Sequence, residues 1–252
     1  MPGNAPAATR ALAALRALAT APAPMTATTL ARQLGVPRSS TYHLLAAMRD
    51  AGFVTHYPEA ERWGLGVAAF EVGAAYLRHD PLERMAEPLL RRLVREAQRS
   101  SAVVAHLGIL LGCDTLYLLK ERSAAPVSVV TEVGVRLPAA LTASGRAILM
   151  ALPAAQVRAA FSGRDAFVDR TGAGPRSMSA LTALLAEERR RGYCEEDGFI
   201  SEGFASVAVA AVGLTFRGAD VPPDRRQRLA RAAARCAEDL SGRLGAHAGA
   251  SR

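Results

Sequence analysis

The chain has 252 residues, half of them apolar and 21% charged, with a formal net charge of +8. This composition excludes an intrinsically disordered protein, and the length suits two modest domains. The positive charge favours an acidic partner such as DNA, although alone it implies only solubility and non-specific attraction.

Three short helices are predicted at the N-terminus, at residues 9–20, 27–34 and 37–50. In the first, leucines at helical spacing mark a buried face, and the following prolines prevent its continuation. Thr26 is placed to cap the second helix, and Gly35 to end it in a left-handed conformation. Pro37 is predicted at the first position of the third helix.

Two strands are predicted next, at residues 53–57 and 62–65, around a turn without an Asn-Gly or Asp-Gly pair. An amphipathic helix follows at 67–78, and the domain boundary is expected within or at the end of this segment. The predicted domains are therefore residues 1–66, a linker helix at 67–80, and residues 81–252.

The remainder of the chain mixes strands and helices. The predicted strands are 103–111, 115–121, 127–133, 193–196 and 207–216, and the predicted helices are 82–98, 143–151, 154–161, 179–191 and 224–244. On a chain of this length, such mixing predicts a sheet with helices packed on it, an α+β fold.

Residues 26–50 form a helix–turn–helix pattern with glycine in the turn. The DNA major groove admits one helix, whose first residues face the bases. The candidate DNA contacts are the start of the third helix and the only cation of the hairpin: Arg38, Ser39, Ser40, Thr41, Tyr42, His43 and Arg62. Glu59 and Glu61 flank the hairpin tip, so deep insertion of the hairpin is not expected. Helical domains that do not bind DNA also show this spacing. The pattern alone therefore fits either a DNA-binding domain or a plain helical domain.

The sequence shows no sign of a disulfide scaffold, metal centre or catalytic motif. Its three cysteines are widely spaced, and no nucleophile elbow, metalloprotease or phosphate-loop motif is found. No cofactor and no metal are therefore expected. His106 is interpreted as a hydrogen-bonded core residue, and the acidic residues 195–197 as a solvated turn.

The apolar runs are shorter than the roughly 18 to 20 residues that a membrane span needs, so we expect a cytoplasmic protein without a membrane partner. The alanine-rich N-terminus could alternatively be read as a secretory signal. Arg16 interrupts its apolar stretch, and the helical leucine spacing favours a folded helix.

In order and spacing, these segments resemble the isocitrate-lyase-regulator (IclR) family of bacterial transcription factors over nearly the whole chain. The segments that carry the resemblance are residues 10–18, 26–35, 36–40, 44–45, 62–66, 73–77, 116–118, 134–138, 142–149, 191–193 and 203–209.

The resemblance implies a winged helix–turn–helix domain followed by a GAF-like domain that binds a small metabolite, often a carboxylic or aromatic acid. It also implies a homodimer or a dimer of dimers acting on an operator. The effector-binding residues implied are Val127, Val129, Ala143, Ser144, Glu196, Ser206, Gly213 and Thr215. Independently, Ala143 and Ser144 precede a predicted helix, whose positive N-terminus can receive a carboxylate.

The chain departs from the family pattern at three places. Thr29 replaces a capping-box glutamate, and His43 stands where arginine is frequent. Residues 207–216 continue without turn residues where the family has two strands, as if about a dozen residues were missing. The sequence therefore predicts a fused or missing strand, which puts Gly213 and Thr215 in doubt and could leave a sheet edge exposed.

Together these observations favour a sequence-specific DNA-binding regulator, without enzymatic activity, that responds to a small metabolite. The alternative is a small-molecule sensor or enzyme whose N-terminal helices serve only for protein–protein contact.

Overall fold

The structure, a computed structural model, describes residues 5–79, 81–99, 101–125, 127, 131–163 and 166–250. The chain divides into two compact units, Met1–Asp80 and Pro81–Arg252. The first is mainly helical and the second combines a larger sheet with helices, which is the α+β architecture predicted. Within the described residues, no helix has both the length and the apolar character needed to cross a bilayer.

The N-terminal unit combines helices with a small antiparallel sheet of order β1-β3-β2. Its elements are α1 (Pro6–Thr20), β1 (Met25–Thr26), α2 (Ala27–Leu34), α3 (Arg38–Asp50), β2 (Val54–Tyr57), β3 (Arg62–Leu65) and α4 (Val67–His79). A 3₁₀ turn, Pro58–Ala60, joins β2 to β3. Strand β1 was not predicted, because two residues show no alternation and pair with β3 only in the folded chain.

Helix α2 begins and ends where the sequence predicts. The Thr26 hydroxyl accepts a hydrogen bond from the Thr29 backbone N–H at 3.2 Å, and the two threonine hydroxyls lie 3.1 Å apart. Thr29 therefore contributes a short polar contact where a capping-box glutamate would reach back. Gly35 ends the helix at φ +64°, a left-handed conformation that glycine adopts without strain. Helix α3 then starts at Arg38, one residue later than predicted, with Pro37 preceding it.

The apolar core of this unit lies between α1, α2, α3 and the sheet. Leu30 and Leu45 are fully buried, and Trp63 of β3 packs in the same cluster. Leu44 is only partly covered. This packing fixes one side of α3 against α2 and leaves the other side exposed.

A close backbone contact connects the end of α3 to the start of α4. The Ala68 N–H donates to the Gly52 carbonyl at 3.1 Å. A Cβ atom at Gly66 would lie 2.2 Å from that carbonyl oxygen, so only glycine fits there. Beyond this contact α4 exposes large apolar side chains, including Phe70 at 74% and Tyr76 at 50%.

The C-terminal unit is built on a six-stranded sheet in the order β6-β5-β4-β9-β8-β7, whose neighbouring strands pair antiparallel. Its strands are β4 (Val104–Leu111), β5 (Asp114–Arg122), β6 (Arg136–Pro138), β7 (Cys194–Asp197), β8 (Phe204–Val209) and β9 (Val212–Arg217). Its helices are α5 (Pro81–Ala97), α6 (Ala143–Ala151), α7 (Ala154–Ala160), α8 (Met178–Arg191) and α9 (Pro223–Ala250).

The two faces of this sheet are covered by different helices. Val207, Leu214 and Phe216 join the core formed with α5 and α9. Ala208, one residue along β8 and therefore on the opposite face, packs against α6. The face beneath α6 contains the polar cavity described below.

The prediction of a fused or missing strand at residues 207–216 is wrong. Strands β8 and β9 pair antiparallel up to Val209 and Val212, so Ala210 and Ala211 alone form the turn. Ala210 takes the positive φ of 49° that this turn requires. Sequence reasoning missed the turn because such hairpins usually place glycine or asparagine at positive φ. Both strands are paired, and Gly213 and Thr215 keep their places in the sheet.

The strand predicted at 127–133 is also wrong at the residues that the structure describes there. Val127 and residues 131–132 have no regular structure, and Val133 and Gly134 lie in a turn. Gly134, at φ +83°, donates to the Tyr117 carbonyl at 2.8 Å and redirects the chain into β6. Strand β6 then pairs with the first half of β5, at residues not predicted as a strand.

We predict that Ala210→Gly raises the free energy of unfolding by about 1 kcal/mol, because glycine removes the cost of a left-handed alanine. Ala211→Gly, next to it without a positive φ, should instead destabilise the protein by about 0.5 to 1 kcal/mol. Urea unfolding of both variants measures the two effects. Equal changes in the two variants would contradict the turn assignment.

Candidate functional sites

The start of α3 forms an exposed edge on the N-terminal unit. Arg38, Ser39 and Ser40 are all exposed in its first turn. Tyr42 and His43 follow and are exposed as well, Tyr42 at 48%. The first backbone N–H groups of a helix have no acceptor within it, so this edge presents a cation, hydroxyls and main-chain donors together.

Thr41 does not belong to this edge. Its side chain is 0% exposed, and its hydroxyl donates to the Pro37 carbonyl at 3.1 Å. On a helix, position 41 lies one turn before Leu45, on the buried face. The prediction that Thr41 contacts DNA is therefore wrong, because the side chain is already committed to the core.

The hairpin cation is partly engaged in the fold. Arg62 Nη1 donates to the Pro24 carbonyl at 2.8 Å, which ties β3 to the segment before β1. Glu59 and Glu61 are exposed near the hairpin turn. Their negative charge makes this turn a poor surface for a phosphate backbone.

The second site is a narrow cavity in the C-terminal unit, between α6 and the sheet. Its enclosed core is about 30 Å³, and together with the space open to solvent the volume is about 480 Å³. The lining combines hydroxyl, imidazole and carboxyl groups with a few apolar side chains: His106, Tyr117, Thr131, Leu137, Thr142, Ala143, Ser144, Glu196, Ile200, Ser201, Phe204, Ser206, Gly213 and Thr215.

The N-terminus of α6 forms one wall of this cavity. The Thr142 hydroxyl caps α6 by accepting from the Gly145 N–H at 3.0 Å, and it lies 2.9 Å from the Thr115 hydroxyl of β5. A Cβ at Gly145 would lie 2.4 Å from that Thr115 hydroxyl, so glycine allows the helix to approach the sheet. Ser144, one position earlier, has its hydroxyl 3.2 Å from the Tyr117 hydroxyl.

A row of polar side chains on three neighbouring strands forms the floor of the cavity. Register pairs Glu196 of β7 with Ser206 of β8, and Ser206 with Thr215 of β9. Ser206 Oγ lies 2.8 Å from Glu196 Oε1 and 2.9 Å from the Thr215 hydroxyl. Glu196 Oε2 accepts from the Phe199 backbone N–H at 3.0 Å.

The acidic segment 195–197 is therefore a strand and not the solvated turn predicted. Glu196 is 4% exposed and lines the cavity, whereas Glu195 and Asp197 face Arg226 of α9. Strand alternation separates the neighbouring acids into two environments, which their order in the sequence does not reveal.

Burial sets the protonation of the ionisable groups in the cavity. Desolvation raises the pKa of Glu196 from its ordinary 4.5 to about 7. It raises the pKa of Tyr117 to about 12 and lowers that of His106 to about 3, the latter with help from Lys120 and Arg122. Tyr117 and His106 are thus neutral near pH 7, and Glu196 titrates there.

Six of the eight residues implied by the family resemblance line this cavity: Ala143, Ser144, Glu196, Ser206, Gly213 and Thr215. Val127 is buried but is not among the lining residues. Val129 lies outside the described residues.

Sequence reasoning missed several lining groups, chiefly His106, Tyr117 and Thr131. His106 is hydrogen-bonded in the core as expected, with Nε2 at 2.6 Å from the Thr131 hydroxyl, but it also lines the cavity. The available signal was a polar residue within each of two apolar strands. Only the strand register, which pairs His106 with Gly213, shows that His106 and Gly213 belong to the same site.

A buried ion pair, also missed, holds α6 in place. The Arg146 guanidinium donates to the Glu188 carboxylate of α8 at 3.0 Å and to the Glu195 carbonyl of β7 at 2.7 Å. Both charged side chains are 0% exposed. The pair joins the cavity helix to α8 and to the edge strand.

The described residues include no group of three His, Cys, Asp or Glu side chains arranged to hold a metal ion. Cys194 is buried beside Glu188, and burial raises the pKa of its thiol well above the usual range. A thiol in this state is a poor nucleophile.

Both units of the chain match models of the same protein family. Residues 74–242 match the family model described as the C-terminal part of the bacterial transcriptional regulator IclR, and residues 7–58 match the IclR helix-turn-helix domain. The acetate operon repressor of Salmonella typhimurium is 29% identical over 204 residues, which cover 79% of this chain and 72% of that protein. The transcriptional repressor IclR of Escherichia coli is 30% identical over 193 residues, covering 75% and 68%.

Solved structures share the fold. An IclR transcriptional regulator from Alicyclobacillus acidocaldarius has a TM-score of 0.78 at 19% identity, covering 95% of this chain and 99% of its own. An IclR homolog from Microbacterium hydrocarbonoxydans, complexed with 4-hydroxybenzoate, has a TM-score of 0.72 at 21% identity, covering 94% and 99%.

We predict that Glu196→Gln removes a pH dependence of stability. Because burial raises the pKa of this carboxyl above its unfolded value, its favourable contribution is complete below about pH 4.5 and is lost as pH rises through 7. Relative to Glu196→Gln, the wild type should lose about 2 to 3 kcal/mol of unfolding free energy over that range. Urea unfolding between pH 5 and 8.5 measures it. The exposed Glu202→Gln is the control and should follow the wild type; parallel curves for all three proteins would contradict the assignment.

Proposed function

The chain belongs to the IclR family of bacterial transcriptional regulators, and we propose that the first turn of α3 is its DNA-reading edge and that the cavity beneath α6 binds its effector. As a member of this family it is a DNA-binding regulator with an effector-binding C-terminal domain. The observation that carries the residue assignment is the exposed cluster Arg38, Ser39 and Ser40 at the start of α3.

On DNA, Arg38 binds a phosphate or a guanine edge, and Ser39 and Ser40 donate to phosphate. Tyr42 and His43 reach bases or backbone one turn later. Arg62 contributes less, because part of its guanidinium is held by Pro24.

Residues 1–66 act as the winged helix–turn–helix domain, 67–80 as the linker helix and 81–252 as the effector domain. The protein acts where the bacterial chromosome lies, in the cytoplasm, and not as an enzyme.

The operator is bound by a dimer, whose two recognition helices dock on half-sites about 34 Å apart. The apolar side chains exposed on α4, among them Phe70 and Tyr76, support a dimer surface on that helix. A dimer of dimers would repeat this unit.

The effector is a carboxylate or an aromatic acid. The α6 N-terminus with Ser144 and Tyr117 supports a bound carboxylate, and the structural neighbour complexed with 4-hydroxybenzoate supports the class. Because two relatives are named repressors, we assign repression. A 100-fold loss of DNA affinity needs about 2.7 kcal/mol of coupling between the two sites.

We predict that Arg38→Ala weakens binding to DNA taken from upstream of the protein's own gene. If the contact is to phosphate, the salt slope should fall by about one unit. Fluorescence anisotropy at several salt concentrations measures both. Arg49→Ala is the matched control, because Arg49 lies in the last turn of the same helix and pairs with Asp50. Wild-type binding that is absent, or insensitive to Arg38→Ala, would contradict the assignment.

We predict that Ser144→Leu abolishes the response of DNA binding to the effector and leaves DNA binding itself intact, because the larger side chain fills the cavity. Ser179→Leu is the control, since Ser179 is likewise the second residue of its helix but is exposed. Thermal-shift screening of carboxylates and phenolics identifies a ligand for the DNA-binding assay. A Ser144→Leu protein that still responds would remove Ser144 from the binding site.

A further inference from the structure

The charges around the cavity do not match an anionic ligand. Among the described residues that line it, Glu196 is the only carboxyl group and none is a lysine or an arginine. The nearby Arg146 is engaged by Glu188 and by main-chain carbonyls. Lys120 donates to the Thr131 carbonyl and to Glu132. An incoming carboxylate would therefore meet one buried acid and no lining cation to neutralise it.

Two buried carboxylates in one small cavity cannot both remain ionised, because their repulsion adds to the cost of desolvating each. A single proton resolves this conflict, since a carboxyl group and a carboxylate can share it in a hydrogen bond. The helix N-terminus with its hydroxyl groups supplies donors, but only partial positive charge.

We propose that the effector is a monocarboxylate that enters together with one proton, and that Glu196 takes up this proton to leave a carboxyl–carboxylate pair in the cavity. The inference rests on the proposed function, and it names the effector's charge class and its coupling to pH. The proton comes from solvent, and no covalent bond forms or breaks.

The hydrogen bonds around Glu196 can accommodate either protonation state. When Glu196 is ionised, the Ser206 hydroxyl donates to Oε1 at 2.8 Å. When Oε1 carries the proton, it can donate that proton to the effector's carboxylate, because the Ser206 hydroxyl can turn away from Oε1 towards the Thr215 hydroxyl at 2.9 Å. The Phe199 N–H continues to donate to Oε2. The Ser206 hydroxyl can therefore serve Glu196 in the ionised state and turn towards Thr215 in the protonated state.

The groups that face Glu196 leave it as the one that titrates near neutral pH. Burial brings its pKa to about 7, against the opposing effects of Ser206, the Phe199 N–H and Arg146, while Asp197 raises it further. Tyr117 on β5 stays protonated because its pKa is about 12, and His106 on β4 stays neutral because its pKa is about 3. A second anionic group on the ligand would meet no lining cation, so the cavity selects monocarboxylates over dicarboxylates.

The test measures the protons taken up when the purified protein binds propionate, lactate or benzoate. Calorimetric titration in two buffers of different ionisation enthalpy gives this number directly. We expect about half a proton at pH 7 and nearly one at pH 8, with affinity falling roughly tenfold per pH unit above pH 8. The corresponding amides, which carry no charge, should show neither effect.

Glu196→Gln imitates the protonated carboxyl, so it should take up no proton and bind the acids more tightly than the wild type at pH 8.5. Asp197→Asn is the matched control, because the neighbouring carboxyl is 55% exposed and outside the cavity lining; it should keep the proton uptake.

Wild-type binding of an acid without proton uptake overturns the proposal, whatever the variants do, as does failure to bind any of the three acids between pH 6 and 8.5. DNA binding is measured on the same preparations. A protein that binds its upstream DNA but takes up no proton disproves this inference and leaves the proposed function standing. A protein that takes up a proton with the acid but does not bind its upstream DNA disproves the proposed function and leaves the proton uptake at Glu196 standing.

Discussion

The position of α6 depends on one buried guanidinium. Arg146 is fully buried, satisfied by the Glu188 carboxylate and by carbonyls of Ala140 and Glu195. Removing one partner from such a pair leaves an uncompensated buried charge, which typically costs about 3 to 5 kcal/mol. The pair therefore fixes the distance between the helix N-terminus and the polar floor of the sheet, and with it the shape of the cavity.

With α6 in this position, the cavity is lined by polar groups but by no lysine or arginine among the described residues. Its walls offer hydroxyl groups and a helix N-terminus, and its only carboxyl group among the described lining residues is Glu196. Burial keeps His106 and Tyr117 neutral at neutral pH. The site is consequently suited to a small, uncharged or singly charged ligand, held by short hydrogen bonds and without a strong ion pair.

The two units differ in how far their sites could be predicted. The exposed edge at the start of α3 depends only on residues close together in the sequence. Gly35 ends α2, α3 begins two residues after Val36, and the exposed residues follow within one turn. Thr41 was wrongly predicted to contact DNA because the first turn of a helix does not itself show which of its residues face the core, and packing buries this side chain. In the C-terminal unit, the family resemblance supplied six of the fourteen lining residues, and among these only Ala143 and Ser144 also had a local argument, their place before a helix.

By itself the sequence determined the local features: helix boundaries, caps, the helix–turn–helix and the order of segments that identifies the family. These depend on residues within a few positions of each other, so their physics can be read along the chain. Only the tertiary structure decided the tight hairpin at Ala210, the burial of Glu196 and the meeting of His106 with Gly213. Each depends on strand register or on contacts between distant segments, which set burial and therefore charge, and no local pattern encodes them.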